Sequence, residues 1–296
     1  MSKHRLFIVD VFAEEKYAGN QLAVVTLTEF LSQPDMQRIA REMNFSETTF
    51  ITSDVPRAGG YDVRIFTPAT ELPFAGHPTL GTAYVIRHEL ASTPPEQLVL
   101  HLKIGPVPVT FESLSGGKET VWMQPPTPVL GAIRSAQAVA EMLGLTPDDL
   151  DPRFPVQEVS IGIPCLFVPL SSLTALKRAY VDIERRAALL QQGIGAAQIF
   201  LFCRETYSPD HELAARMFFE ANGMREDPAT GSANVCLGAY LLKHSYFGGD
   251  RIDIKVEQGY EISRPSLLLV RAAWQSGEPR VSVGGRVIMA VQGELV

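Results

Sequence analysis

The sequence predicts an α+β protein built from two similar halves. Three observations support this prediction: apolar runs of strand length outnumber helical patterns, two helical segments are apolar on every side, and the order of segments repeats along the chain. Strands and helices do not alternate regularly, which disfavours a doubly wound parallel sheet. The 296 residues are 46% hydrophobic, enough for a buried core without a metal or a disulfide framework.

Runs rich in Val, Ile and Phe, bounded by Gly or Pro, predict strands in both halves. The predicted strands are Arg5–Phe12, Leu22–Leu27, Tyr61–Thr67, Leu98–Ile104, Val107–Glu112, Thr120–Met123, Gln157–Ile161, Cys165–Leu170, Gln198–Cys203, Leu213–Phe219, Arg251–Val256, Leu267–Ala272 and Arg280–Val291.

Five segments have helical patterns. Pro34–Asn44, Ala136–Leu143 and Asp182–Gln192 are amphipathic, which is typical of helices on the outside of a domain. His77–His88 and Ser232–Lys243 have no polar face. Such a helix is usually surrounded by protein, so we expect these two at the centre of the two halves.

An internal repeat relates the halves. Arg64-Ile65-Phe66 leads to Gly76 and a central helix, and Arg216-Met217-Phe218 leads to Gly231 and the other, with the two glycines 155 positions apart. The Pro-rich segment Gln124–Pro128 is a natural linker. The sequence therefore predicts an N-terminal half at 1–122 and a C-terminal half at 123–283. Residues 284–296 are a candidate to complete the N-terminal half.

The composition and the missing motifs disfavour several classes of function. The net charge of −7 disfavours binding to nucleic acid or to anionic membranes. The three cysteines form no CxxC pair, which fits a reducing compartment. We find neither a signal-peptide pattern nor an apolar run of membrane-spanning length, so we expect a cytoplasmic protein. Metal-ligand spacings, a P-loop and a nucleophile elbow are all missing from the sequence, so no metal site is expected.

Glu47 follows the first helical segment and has Phe45, Phe50 and Ile51 as neighbours. A carboxylate in apolar surroundings should have a raised pKa, which suits a group that both takes and gives a proton near neutrality. From the residues alone, a solvated Glu at a helix end is the commoner case.

Two loops that enter the apolar helices are the other candidate sites. In the first, Gly76 allows close approach of a ligand, and His77 could donate to it or merely cap the helix. In the second, Asp227 could accept a proton from a substrate amino or hydroxyl group, and Gly231 and Ser232 would supply backbone amides. Helix capping is the structural alternative for Asp227 and Ser232. Amides at two helix starts would together grip a small polar acid.

Segments over nearly the whole chain carry a resemblance to a known family: Phe7–Phe12, Gly19-Asn20, Leu22–Val25, Met36–Asn44, Ser46-Glu47-Thr48, Phe50, Arg64–Pro68, Glu71–Pro78, Gly81–Ala83, Glu226-Asp227, Ala229–Ala233, Gln258-Gly259, Glu261-Ile262 and Arg264–Leu267. In these segments the chain resembles the PhzF-like proteins, named for an isomerase of phenazine biosynthesis.

The resemblance implies a diaminopimelate-epimerase-like fold of two pseudo-symmetric halves, each a sheet wrapped around a central helix. It also implies a homodimer without a cofactor, and isomerisation of trans-2,3-dihydro-3-hydroxyanthranilate by an allylic proton shift. Its catalytic positions fall on Glu47, His77 and Asp227. Its substrate-binding positions fall on Ser46, Gly76, Gly231 and Ser232.

Three alternatives remain open. The first is an isomerase or epimerase with the same frame that acts on another small amino-acid-like acid. Asp227 is followed here by Pro228, whereas the similar phenazine enzyme has alanine at that position. This difference leaves the identity of the substrate open. The second is a non-catalytic homologue that binds a small molecule. The third is a two-thiol racemase, which is disfavoured because Gly76-His77 and Gly231-Ser232 stand at the two helix starts where the similar racemases each have a cysteine.

Overall fold

The computed structural model of the protein describes residues 4–27, 29–53, 55–193, 198–220 and 224–296. The chain forms two units, Met1–Pro125 with Gly284–Val296, and Pro126–Val283. That these units are separate folding domains stays a prediction. In the described ranges, no helix has both the length and the apolar character needed to cross a membrane.

The strands are numbered in chain order. Those of the first unit pair with both parallel and antiparallel neighbours. Its strands are β1 (His4–Val11), β2 (Asn20–Thr26), β3 (Glu47–Ile51), β4 (Tyr61–Phe66), β5 (Glu71–Leu72), β6 (Gln97–Leu102), β7 (Gly105–Ser113), β8 (Glu119–Met123) and the C-terminal β18 (Val287–Leu295). β1 lies antiparallel between β18 and β2, and β2 is parallel to β3. β4 is antiparallel to β3 and β5 and parallel to β6, and β7 is antiparallel to β6 and β8.

Two α-helices belong to this unit, α1 (Gln33–Met43) and α2 (Gly76–Val85). Every residue of α2 except Tyr84 is buried, and the helix packs against β1, β2, β3 and β8. Gly81 makes this contact possible, because a Cβ there would lie 2.6 Å from Leu22 Cδ2 and 2.9 Å from Val11 Cγ2. The first predicted central helix is thus confirmed, although its last turn, Ile86–Leu90, is π-helical.

The second unit has the same plan. Its strands are β9 (Val129–Ile133), β10 (Gln157–Ser160), β11 (Pro164–Pro169), β12 (Gln198–Cys203), β13 (Leu213–Glu220), β14 (Met224–Asp227), β15 (Arg251–Gln258), β16 (Ser266–Gln275) and β17 (Glu278–Gly285). Its helices are α3 (Ala136–Met142), α4 (Leu173–Arg178), α5 (Ile183–Gln191) and α6 (Gly231–Lys243). In α6 only Ser232 and Lys243 are not buried, so this helix is the second central one.

The strand pairings repeat between the units. In the first unit β1–β2 is antiparallel, β2–β3 parallel, β3–β4 and β4–β5 antiparallel, β4–β6 parallel and β6–β7 antiparallel. In the second unit the corresponding pairings have the same directions: β10–β11, β11–β12, β12–β13, β13–β14, β13–β15 and β15–β16. The central helix follows the fifth strand of each series, which explains the repeat that the sequence shows.

An ion pair recurs just before each central helix. In the first unit the Arg64 guanidinium donates to both carboxylate oxygens of Glu71, at 2.8 and 2.9 Å. In the second unit Arg216 donates to both oxygens of Glu226, at 3.0 and 2.7 Å. Both pairs are largely buried and bidentate, the geometry in which such pairs fix orientation best. Each therefore anchors the short strand that leads into a site loop.

Some elements differ from the predictions. β3 was missed, because its Thr48-Thr49-Phe50 core is short and directly follows a helix. The run Arg280–Val291 was predicted as one strand but is broken at Arg286, whose carbonyl oxygen turns to accept from the amides of Phe12 and Ala13 at 2.8 and 3.3 Å. Helix α4 was also missed; Ser172 caps it by accepting from the Ala175 amide.

Candidate functional site

The Glu47 side chain is placed by the junction of α1 and β3. Asn44 ends α1 in the left-handed conformation, with φ of 53°, and Glu47 then opens β3 opposite Leu22 of β2. Because side chains alternate along a strand, Glu47 and Thr49 share one face. Thr49 Oγ1 lies 2.8 Å from Thr82 Oγ1 of α2, so this face is turned to the central helix.

The expected apolar surroundings of Glu47 need a correction. Phe50 lies on the opposite face of β3, in a cluster with Met36 and Ala40 of α1, because an odd spacing along a strand reverses the side-chain direction. Glu47 is nevertheless only 15% exposed, since the start of α2 covers it. A raised pKa of Glu47 stays a prediction.

His77, the second residue of α2, is buried and faces Glu47. Its Nε2 lies 3.4 Å from Glu47 Oε2, and its Nδ1 lies 3.3 Å from the side-chain amide nitrogen of Asn20. Burial lowers the pKa of His77 to about 3, and the backbone carbonyl of Gln21 offsets only part of that effect. The ring is therefore neutral at physiological pH.

Asn20 lies on the other side of the neutral ring. The contact between the Asn20 side-chain nitrogen and His77 Nδ1 is compatible with either tautomer of the ring. In the described part of the chain, His77 Nε2 faces Glu47 without a hydrogen-bond partner. Asn20, His77 and Glu47 thus form a line of side chains that the fold brings together from positions distant in sequence.

The start of α2 has no side-chain cap. Its N-cap residue is Ala75, and Pro78 at the third helical position has no N–H, which leaves the amides of Gly76 and His77 at the helix end. The alternative in which His77 merely caps the helix is therefore wrong. Ser46 lies half-buried just before β3.

Asp227 ends β14 and belongs to a second cluster. Its Oδ2 accepts from Thr230 Oγ1 at 2.5 Å, and its backbone oxygen accepts from Gln258 Nε2 at 2.9 Å. Thr230 is the N-cap residue of α6, yet its side chain makes no capping hydrogen bond. Gly231 and Ser232 therefore begin α6 without a capping hydrogen bond from the N-cap side chain.

The structure thus arranges the predicted site residues in two clusters. In the first unit, Glu47 and His77 come together, with Ser46 and Gly76 next to them in the chain. In the second, Asp227 lies at the start of α6 beside Gly231 and Ser232. Sequence reasoning did not select Asn20, Thr230, Asn234 or Gln258, although Asn20, Thr230 and Gln258 lie in segments that carried the family resemblance.

The three cysteines are poorly suited to act as bases. All three are buried and unpaired. Burial raises the pKa of Cys203 and Cys236 to about 12, and it also raises that of Cys165. These thiols are protonated at neutral pH, which further disfavours the two-thiol racemase. In the described part of the chain, no group of three His, Cys, Asp or Glu side chains could hold a metal ion. The expected lack of a cofactor stays a prediction.

Comparisons with known proteins identify the family. The model of the phenazine biosynthesis-like proteins matches residues 9–293. A trans-2,3-dihydro-3-hydroxyanthranilate isomerase of Pseudomonas chlororaphis is 35% identical over 296 residues, which cover 99% of each chain. The crystal structure of a PhzF-family phenazine biosynthesis protein from Bacillus anthracis superposes with a TM-score of 0.89 at 27% identity, over 100% of both chains.

A solved structure with lower sequence identity shares only the fold with this chain. A hydroxyproline epimerase from Agrobacterium vitis has a TM-score of 0.63 at 10% identity, over 99% of this chain and 92% of that one. The predicted diaminopimelate-epimerase-like α+β fold is thereby confirmed. The chain therefore belongs to the phenazine biosynthesis-like family, the PhzF isomerases.

Proposed function

We propose that the protein isomerises a small cyclic amino-acid-like acid by moving one proton, with Glu47 as the acid/base group. The observation that carries this proposal is the pair formed by Glu47 and the neutral His77, whose Nε2 lies 3.4 Å from the carboxylate. We propose trans-2,3-dihydro-3-hydroxyanthranilate as the substrate, because relatives of this chain that span its full length bear that name.

Glu47 would act first as a base. Its carboxylate takes a proton from one ring carbon, and the electron pair of the broken C–H bond moves through the adjacent double bond. Glu47 then returns the proton, or helps to return it, at the far carbon of the allylic system, so that the reaction needs no redox partner. His77 cannot serve as a second acid, because a pKa of about 3 leaves no imidazolium near neutrality. His77 instead packs as a neutral ring against the Glu47 carboxylate.

The remaining groups would bind the substrate. The amides at the start of a helix favour an anion, so the uncapped starts of α2 and α6 suit a substrate carboxylate. Asp227, an acceptor at the start of α6, suits an amino or hydroxyl proton of the substrate. Ser46 and Ser232 would add hydroxyl contacts.

Replacement of the proposed base tests the mechanism. Glu47→Gln keeps the shape but cannot take a proton, so turnover should fall by about a hundred- to ten-thousand-fold while ligand binding persists. The measurement is turnover together with deuterium incorporation from heavy water, with binding followed by calorimetry. Glu42→Gln, on the exposed side of α1, is the matched control and should keep full activity.

Two results would contradict this mechanism. One is a fully active Glu47→Gln. The other is a folded but inactive Cys236→Ala, since the Cys236 thiol is protonated and should not take part.

A substrate panel tests the specificity. Dihydrohydroxyanthranilate should show product formation and incorporation of solvent deuterium into the ring. The rival hypothesis, another small amino-acid-like acid, predicts exchange with a different member of the panel and none with dihydrohydroxyanthranilate. Binding without exchange for every acid would instead favour the non-catalytic homologue.

A further inference from the structure

The last residue of β15, Gln258, is fully buried and satisfies every hydrogen-bonding position of its side chain. Its Nε2 donates to the Asp227 backbone oxygen at 2.9 Å and to Thr230 Oγ1 at 3.1 Å. Its Oε1 accepts from the Thr230 amide at 3.2 Å and from Asn234 Nδ2 at 3.3 Å. A primary amide has two donors and two strong acceptor positions, so none remains.

These contacts fix the orientation of the Gln258 amide. The Thr230 backbone amide can only donate, so it requires the oxygen of Gln258. The Asp227 backbone oxygen can only accept, so it requires the nitrogen. A flipped amide would lose both bonds inside the protein, where a buried polar group without a partner is destabilising.

The orientation of the amide sets the direction of the next hydrogen bond. Thr230 Oγ1 accepts from Gln258, so its single proton is available for another partner. Asp227 Oδ2 lies 2.5 Å away, and Thr230 donates to it. The chain of donors therefore runs from Gln258 through Thr230 to Asp227. This also explains why the N-cap residue Thr230 does not cap its helix.

We propose that Gln258 is a positioning residue that, through Thr230, holds Asp227 as an ionised hydrogen-bond acceptor at the start of α6. This inference rests on the proposed function for its catalytic consequence, because an ionised Asp227 can take the amino or hydroxyl proton of a substrate. Its structural part stands on the hydrogen bonds alone.

Two carboxylates next to this cluster, those of Glu226 and Glu257, have partners of their own. Glu226, next to Asp227 on β14, forms the bidentate pair with Arg216 of β13. Glu257, next to Gln258 on β15, faces the other side of its strand and lies 2.6 Å from His211. The Asp227 carboxylate accepts from Thr230, and the Asp227 backbone oxygen accepts from Gln258.

The decisive variant is Gln258→Glu. A carboxylate at this position attracts the Thr230 hydroxyl proton away from Asp227 and places a second negative charge close by. Both effects disfavour the ionised form of Asp227, so its titration midpoint should rise by about one pH unit or more. Thr230→Val removes the donor without adding a charge, and the midpoint should rise by less.

The readout is the carboxyl carbon-13 resonance of Asp227, followed against pH in aspartate-labelled protein and assigned with Asp227→Asn. Gln275→Glu, at the exposed end of β16, is the matched control and should leave the resonance unchanged. The acid limb of the deuterium-exchange rate against pH should move in the same direction as the resonance. A residue with only a structural role would lower the rate or the stability without moving this limb.

An unchanged Asp227 titration in folded Gln258→Glu and folded Thr230→Val would overturn the proposal. If Gln258→Glu does not fold, Thr230→Val alone decides, since valine matches threonine in shape. If the wild-type protein catalyses deuterium exchange with none of the acids tested, the proposed function is overturned. This inference would still stand, because the titration of the Asp227 carboxyl resonance can be measured without turnover.

Discussion

His77 shows how burial determines the chemistry of a residue. Histidine ordinarily titrates near neutrality, which makes it a common proton carrier. Here burial lowers its pKa to about 3, so the ring stays neutral and can only donate from one nitrogen and accept at the other. We therefore assign proton transfer to Glu47 rather than to His77.

The lowered pKa of His77 predicts a dependence of stability on pH. In the unfolded chain this histidine should titrate near 6.5, so between about pH 6.5 and 3 the unfolded state binds one more proton than the folded state. The free energy of unfolding should thus fall with decreasing pH, by about 2 kcal/mol from this residue between pH 7 and 5. Urea unfolding at both pH values is the measurement.

A variant isolates this contribution. His77→Gln should show a smaller difference between the two pH values than the wild type. His244→Gln is a useful comparison, because burial lowers the pKa of His244 as well, though that residue is less deeply buried. Equal pH dependence of wild type and His77→Gln would contradict the neutral-histidine assignment.

The candidate site residues could be selected from the sequence, but their contacts could not. The residues Glu47, His77 and Asp227 stand out in the sequence because of their loops and the family resemblance. His77 contacts Asn20, and we propose that the acceptor role of Asp227 depends on Gln258. These partners are 57 and 31 positions away, and only the folded sheets bring them close.

At the level of elements, helix caps separate central from peripheral helices. Each of the four peripheral helices has an N-cap side chain that accepts a hydrogen bond from a first-turn amide: Ser32 for α1, Ser135 for α3, Ser172 for α4 and Asp182 for α5. The N-cap residues of α2 and α6, Ala75 and Thr230, do not. We infer that the two central helices keep these amides for a ligand at some cost in helix stability.

A capping side chain introduced at the start of α2 should increase helix stability and weaken ligand binding by the first-turn amides. In Ala75→Ser the new hydroxyl can accept from the His77 amide, so stability should rise by up to about 1 kcal/mol while the substrate KM increases. The control Ser135→Ala removes a peripheral cap and should lower stability by about 0.5–2 kcal/mol without changing KM. Thermal melts and exchange kinetics measure both. An unchanged KM in a stabilised Ala75→Ser would count against ligand binding by these amides.

Close packing of α2 gives a second prediction for this helix. Gly81→Ala gains about 1 kcal/mol in helix propensity, but the added methyl group would meet Leu22, Val11 and Val9 at 3.0 Å or less. Overpacking of a core costs about 1–3 kcal/mol, so the net change should be destabilising. Thermal unfolding is the measurement, with Glu42→Ala on exposed α1 as the control; a higher melting temperature for Gly81→Ala would show that β1 and β2 can yield.

Element types were more predictable than element ends. Both central helices were predicted from their lack of a polar face, a signal that covers more than ten residues. β3 was missed because five residues after a helix contain little periodicity. The break at Arg286 was missed although Gly284-Gly285 precedes it, because the break depends on a carbonyl that pairs with the backbone of Phe12 and Ala13, far away in sequence.

At the scale of the whole molecule, the repeated order of pairings and the two Arg–Glu ion pairs indicate a duplicated ancestor. The two copies have since diverged at their site loops, since Glu47 and His77 meet in one unit while Asp227 and Gln258 meet in the other. The predicted homodimer stays a prediction, which light scattering of the purified protein can test.

The C-terminal strand should be essential to the first unit. β18 pairs with β1 along its whole length, so removal of 287–296 would expose the backbone of β1 and the apolar residues beneath it. We expect loss of cooperative unfolding or a large fall in melting temperature by circular dichroism. Removal of the exposed Val296 alone should have no effect. An unchanged melting temperature after the longer deletion would refute this role.

The pairing of β1 with β18 also affects the timing of synthesis. A ribosome makes the first unit's N-terminal residues early, but β1 lacks one neighbour until the last strand emerges, whereas all residues of the second unit are complete before that. The half that is begun first is thus finished last. Since His4 pairs with Leu295, the strands that contain them lie close enough to be joined by a linker in a circularly permuted gene that starts at Pro126 and ends at Pro125. In that gene each unit would be translated without interruption.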